Sequence, residues 1–221
     1  MRWAFDHCSL VIGHLSLLIW VMVGDLPESV RAFVAIDLPE ELLRELRALQ
    51  ARLELELPKN AVRWTPAEQI HLTLKFLGNI ASADLDKLEA ALAATCQRAK
   101  PFRLRAKSLG CFPNPARPRV IWVGLEDELQ PLQALQSQID AATQSWCAKS
   151  DERAFRPHLT IGRVREVSPR VSRQIGQTVK GTPISTLGDW TVGEVGLLWS
   201  KLSPKGAEHF ALARVAFAGD K

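Results

Sequence analysis

Residues 70–77 read IHLTLKFL, and residues 158–164 read HLTIGRV. Both are short runs with aliphatic residues at alternate positions, the pattern of a β-strand with one buried face. Successive strand side chains point to opposite faces, so residues i and i+2 share a face. In the first run Leu72 and Leu74 pack inward and His71 and Thr73 turn together the other way. In the second, Leu159 and Ile161 pack inward and leave His158 and Thr160 as the pair. The chain has five histidines, His7, His14, His71, His158 and His209, and two of them open the same tetrapeptide. By average composition, a given His is followed by Leu, Thr and an aliphatic residue about once in a thousand, so two copies mark an internal repeat.

The flanking sequence follows one plan around each copy. RAFVAIDL (31–38) predicts a strand, and Pro39 opens a helix to about Leu57 on the spacing Leu42, Leu43, Leu46, Leu49, Leu53. AVRWT (61–65) and 70–77 predict strands, and Gly78-Asn79 a turn. A helix over 82–98 follows, with Ser82 as its cap. FRLRAKSLGCF (102–112) and RVIWVGL (119–125) predict strands around a proline-rich loop, then a helix over about 128–149, the strand 158–164 and a helix over 169–179. DWTVGEVGLLWSKL and EHFALARVAF complete the sheet. The order predicts an α+β fold: two similar lobes of antiparallel sheet with flanking helices, related by a pseudo-twofold duplication around a central cleft. A Gly-rich phosphate loop of the P-loop type is not written in the chain.

Bulk properties agree with one globular domain. The chain has 221 residues, 47% of them hydrophobic and 24% charged, enough for a sizeable core and unlike a disordered, collagenous or coiled-coil sequence. The net charge is +4; Arg2 against Asp6, Asp25 and Glu28 leaves the first 30 residues at −2 and the body at +6. A basic body favours polyanionic partners. Cys8, Cys96, Cys111 and Cys147 form no C-x-x-C pair, and their irregular spacing predicts buried thiols in a reducing cytosol. The apolar run 8–23 is shorter than a membrane span needs, and Gly24-Asp25-Leu26-Pro27 behind it is a poor small-residue cleavage site for a signal peptide. It reads as part of an N-terminal extension over 1–30, with Met22 as an alternative start, ahead of a domain over 31–221.

Two imidazoles and two hydroxyls facing one cleft suit phosphodiester hydrolysis without metal. A neutral imidazole takes a proton from attacking water and an imidazolium gives one to the leaving oxygen; the ordinary histidine pKa of about 6.5 serves both. Thr73 and Thr160 can hydrogen-bond the non-bridging oxygens. Neither His has an acidic residue or Cys at ligand spacing to build a metal site.

At these residues the chain resembles the two-histidine phosphoesterases, and among them the bacterial and archaeal RNA 2′,3′-cyclic phosphodiesterases of the 2′-5′ RNA ligase type. RAFVAIDLP, VRWTPAEQIHLTLKFLG, CFPNPARPRVIWVGL, FRPHLTIGRVR and LLWSKLSPKGAEHF carry the resemblance, from about Arg31 to Phe217. It implies that His71 is the proton donor to the leaving 3′-oxygen and His158 the proton acceptor. Thr73 and Thr160 would bind phosphate, with no metal or cofactor. The partners it implies are RNA 3′ ends bearing 2′,3′-cyclic phosphate, with 2′-5′ ligation as the reverse reaction, for a cytoplasmic monomer without membrane attachment. Where the family often shows a tyrosine, this chain has His209 and Phe210 and no Tyr at all.

Further residues carry weaker signals. Arg163 lies away from His158 by strict alternation and reaches the cleft only where the strand ends or bulges; the resemblance puts it near the bound nucleotide. Lys75 shares parity with His71 and could draw phosphate. Phe33 is a candidate for stacking on a base, whereas Phe76 falls in parity with Leu72 and Leu74 and reads as core. His209, without a Thr at i+2, reads as structural, and the seven Trp residues as core. The same mechanism would serve another cyclic nucleotide phosphate or a 2′-5′ oligonucleotide, and the alternative from another class is a non-catalytic RNA-end binding module.

Overall fold

The computed structural model describes residues 26–147, 154–203 and 206–218. The expectations for residues 1–25 lie outside the described residues. The described chain runs β1 (Ser29–Ile36), α1 (Glu40–Glu56), β2 (Val62–Trp64), β3 (Leu72–Ala81), α2 (Leu85–Cys96), β4 (Phe102–Phe112), β5 (Val120–Asp127), α3 (Leu129–Thr143), β6 (His158–Val164), α4 (Pro169–Gly181), β7 (Gly188–Val192), β8 (Glu194–Ser203) and β9 (Gly206–Ala216).

The helices form where the aliphatic spacing puts them. In α1, Leu42, Leu46, Leu49 and Leu53 are buried, and Glu40 and Glu41 occupy the first turn, where carboxylates oppose the positive end of the helix dipole. Ser168 caps α4 by accepting from the Val171 amide, with Pro169 opening the helix. Ser82 does not cap α2: a 3-10 turn (Ser82–Asp84) comes first, and the Ser82 hydroxyl donates instead to the Pro27 carbonyl. Helix α3 ends at Thr143 and gives way to a 3-10 turn.

The strands form one antiparallel sheet in the order β7-β4-β5-β6-β3-β1-β8-β9, with β2 also on β6. β3 and β6 touch in register only at Leu72 and Leu159, so the sheet divides there into two halves. This is the expected two-lobed α+β architecture, but the lobes are not the two halves of the chain. The β3 lobe takes β8 and β9 from the C-terminus, while α1 packs on β7 and α3 on β3. The crossing happens at Gly193, which divides the run DWTVGEVGLLWSKL into β7 and β8.

The core lies between the sheet and its helices. Leu72, Leu74, Leu159, Ile161, Ile121 and Val123 line its sheet side, each no more than 3% exposed. Burying a side chain of this size contributes roughly 1.5–3 kcal/mol. Phe33, Ala35 and Leu198 form a separate small cluster outside that core, on the opposite face of β1 and β8. His71, Thr73, His158 and Thr160 belong to that second face.

Candidate active site

Each motif strand contains a bulge, and both bulges fall on the same motif position. Between β1 and β3, Ala35 pairs with Thr73 and Val34 with Lys75, so Leu74 is the extra residue. Between β5 and β6, Trp122 pairs with Thr160 and Ile121 with Gly162, so Ile161 is extra. Leu74 and Ile161 are the fourth residues of the two tetrapeptides. An inserted residue resets the alternation of everything after it. Lys75 therefore turns to the core side, 7% exposed, and ion-pairs with Asp140 of α3; Phe76 turns to the motif face, 62% exposed. Both outcomes reverse the parity expected for an unbroken strand. In the other lobe the bulge brings Arg163 onto the motif face, opposite Val120 and exposed.

A glutamine holds each bulge from the helix side. Gln50 of α1 donates from Nε2 to the carbonyls of Ile161, at 2.8 Å, and Thr65, at 2.7 Å. Gln136 of α3 donates to the Leu74 carbonyl at 3.5 Å.

The single Leu72–Leu159 register pair brings the motifs together. Continuing that antiparallel register one residue each way sets His71 across from Thr160 and Thr73 across from His158. Directly opposed residues of an antiparallel pair share a face. Each imidazole thus has a hydroxyl beside it on its own strand and another across the seam.

The two imidazoles are oriented alike. His71 Nδ1 lies 2.9 Å from the Gln69 carbonyl and His158 Nδ1 lies 2.7 Å from the Arg156 carbonyl. A carbonyl only accepts, so both Nδ1 atoms carry the proton and both Nε2 atoms are left for chemistry. Burial pushes His71 down to about 4, helped by neighbouring His209 and opposed by the hydrogen bond to Gln69. Burial also lowers His158; the Arg156 carbonyl opposes this and the Arg163 charge adds to it. In the free protein both imidazoles are therefore neutral near pH 7.

Aromatic rings frame both histidines. Phe33 is 4.9 Å from His71, 5.0 Å from His209 and 6.0 Å from Phe76 between ring centroids. It is 2% exposed, so it has no face to offer a base; it supports His71 from beneath, and Phe76 is the exposed ring of the group. Phe112 meets His158 edge-on at 5.0 Å. Trp122, opposite Thr160, lies over Gly110, where a Cβ would come within 2.4 Å of the indole. His209 is not remote from the site: its ring is 5.1 Å from that of His71 at 87°, and its buried Nδ1 has no partner among the described residues. Phe76, Phe112, Trp122 and His209 thus join the residues expected. The bulges that expose Phe76 and the β8–β9 pairing that delivers His209 leave no mark in the local pattern.

A curled antiparallel sheet with a His-x-Thr pair on each side of its central seam defines a two-histidine phosphoesterase. A family model of LigT-like phosphoesterases matches residues 36–122 and again 123–207, one motif in each match. The chain belongs to that family. It is 32% identical over 177 residues to the RNA 2′,3′-cyclic phosphodiesterase of Methanothermobacter thermautotrophicus, covering 80% of this chain and 93% of the relative. It is 28% identical over 194 residues to the enzyme of the same name from Thermus thermophilus, covering 86% and 91%. Among solved structures, a Thermus thermophilus protein superposes with a TM-score of 0.71 at 28% identity, over 86% of this chain and all of the other. LigT of E. coli complexed with 3′-AMP superposes with a TM-score of 0.68 at 27% identity, over 86% and 99%.

Proposed function

We propose that this cyclic phosphodiesterase opens 2′,3′-cyclic phosphate ends of RNA to 2′-phosphates. His158 Nε2 takes a proton from water as the water oxygen bonds to phosphorus. The bond from phosphorus to the 3′-oxygen breaks, and His71 Nε2 gives that oxygen its proton. Thr73 and Thr160 hold the non-bridging oxygens. Product leaves as a 2′-phosphomonoester with a free 3′-hydroxyl; with a 5′-hydroxyl of a second RNA attacking phosphorus in place of water, the same breaking of the bond to the 3′-oxygen joins the ends by a 2′-5′ bond.

The observation that carries this reading is the pair of imidazoles tied at Nδ1 and free at Nε2, each with threonines beside and across from it. His71 is held neutral in the free protein, so its donor role requires it to gain a proton with the substrate. A bound phosphate anion favours the charged imidazole. The names of the relatives support the RNA substrate. Among the described residues no helix is long and apolar enough to cross a membrane, and Cys96, Cys111 and Cys147 are free thiols. Those thiols support a cytoplasmic setting.

The test is turnover of an RNA oligomer ending in 2′,3′-cyclic phosphate, in EDTA, with the phosphate position in the product read by phosphorus NMR. A 2′-phosphate is expected, with losses of about 10²–10⁴-fold in His71→Ala and in His158→Ala. A 3′-phosphate product, or full activity in both variants, would overturn the assignment.

A further inference from the structure

Arg63 on β2 and Arg163 on β6 are directly paired across their ladder, between Val62–Val164 and Trp64–Gly162. Like charges directly opposite one another in a sheet destabilise it. Both side chains are exposed, and neither forms an ion pair among the described residues. In the same half-sheet the cations of β4 are neutralised: Arg103 by Asp189, Arg105 by Asp127 and Lys107 by Glu126. Among the described residues the two arginines therefore stand as a directly opposed double charge without a neutralising carboxylate.

Their place is set firmly. β2 continues the line of β3 along the same edge of β6, so the seam that sets His71 across from Thr160 runs on to set Arg63 across from Arg163. Thr160 and Arg163 are three residues apart, roughly 10 Å at about 3.3 Å per residue. The Ile161 bulge puts Arg163 on the motif face, and the pairing puts Arg63 there beside it. Gln50 fixes this corner by bonding both Ile161 and Thr65, the residue after β2. Two adjacent guanidiniums present paired donors to a phosphate diester, whose charge removes the repulsion between them.

We propose that Arg63 and Arg163 form a second anion site that holds the phosphodiester preceding the cyclic phosphate. The chain then selects oligonucleotide ends over mononucleotides. This rests on the proposed function and names the substrate class within it.

The experiment compares kcat/KM for a nucleoside 2′,3′-cyclic phosphate and for a trinucleotide ending in the same group. Wild type should prefer the trinucleotide at least tenfold. The ratio of trinucleotide to mononucleotide should fall about tenfold in Arg63→Ala, further in Arg63→Glu, and less in Arg63→Lys. The trinucleotide's salt dependence in Arg63→Ala should become shallower by about 0.7 in the log–log slope for the one lost phosphate contact. An unchanged ratio, or equal losses on both substrates, overturns the proposal. If wild type turns over neither substrate, the proposed function fails on its own. Binding of a 3′-phosphorylated trinucleotide by wild type and Arg63→Glu, read by fluorescence polarisation, then decides the anion site: equal affinities overturn it.

Discussion

Gln50 of α1 donates its side-chain amide to the carbonyl of Ile161, 111 residues away, at the bulge that follows the second His-Leu-Thr. Its second bond, to Thr65, leaves both protons of the amide engaged and the side chain 9% exposed. Two carbonyls facing one nitrogen fix the amide's orientation, because an oxygen there would meet only acceptors. A helix from the first half of the chain therefore holds the bulge that turns Arg163 to the motif face.

Replacing Gln50 with Leu should destabilise the protein by about 1–3 kcal/mol, the cost of leaving buried carbonyls unsatisfied. Gln50→Glu should cost more, since a carboxylate in that position opposes both carbonyls and loses solvation. Denaturant unfolding gives the order directly. Equal stability of Gln50→Glu and wild type would mean that the amide does not hold the bulge.

The strands and helices were legible because burial imposes its period on the sequence. The 2.0 spacing around Leu72 and Leu159 and the 3.6 spacing around Leu46 and Leu53 each report one covered face. His71, Thr73, His158 and Thr160 were legible for the same reason. What was not legible lies past the fourth motif residue. A bulge changes parity without changing composition, so Lys75 and Phe76 exchanged faces against expectation, and Arg163 came to the motif face. Gly78-Asn79, a turn by composition, sits inside β3 at a second irregularity, where Gly78 takes φ 81°. His209 was missed because its neighbours are made by non-local pairing: β9 lies on β8 and β8 on β1, which carries the imidazole to Phe33 and to His71 itself.

The contact between His71 and His209 should be visible in titration. Two imidazoles with ring centres 5.1 Å apart disfavour carrying charge together. In His209→Phe, which keeps a ring in place, the His71 midpoint should rise from about 4 toward the ordinary value. It should stay below that value, because burial is the larger cause and remains. Histidine Cε1–H chemical shifts followed against pH measure this without any substrate. A midpoint identical in the two proteins would show that the rings do not interact.

Stability should depend on pH through the same residue. The folded-state pKa of His71, about 4, lies below the unfolded value of about 6.5. Between these limits the unfolded chain binds the extra proton, so stability rises with pH there. It is fully present above about 6.5 and is lost as pH falls toward 4, by on the order of 3 kcal/mol for this group. Replacing His71 with Phe should flatten that part of the profile of unfolding free energy. His158, lowered in the same direction, should leave part of the slope in place. An unchanged slope in His71→Phe would mean that the imidazole titrates normally in the fold.

Phe33 and Phe76 separate support from contact. Their rings are 6.0 Å apart, yet one is 2% and the other 62% exposed. Phe33→Ala removes a buried ring beneath His71 and should cost about 3–5 kcal/mol of stability. Phe76→Ala removes surface that already faces solvent and should change stability by less than about 0.5 kcal/mol. Its effect belongs to substrate. A ring exposed beside the motif can stack on a base, and alanine substitution at such platforms costs about 1–3 kcal/mol per base. KM for a cyclic-phosphate oligomer should therefore rise several-fold or more in Phe76→Ala, while Phe76→Trp keeps the platform and should stay near wild type. Thermal unfolding and steady-state kinetics on the three variants separate the two roles. Should Phe76→Ala unfold like Phe33→Ala, or Phe76→Trp lose affinity as Phe76→Ala does, the exposed ring is not a stacking surface.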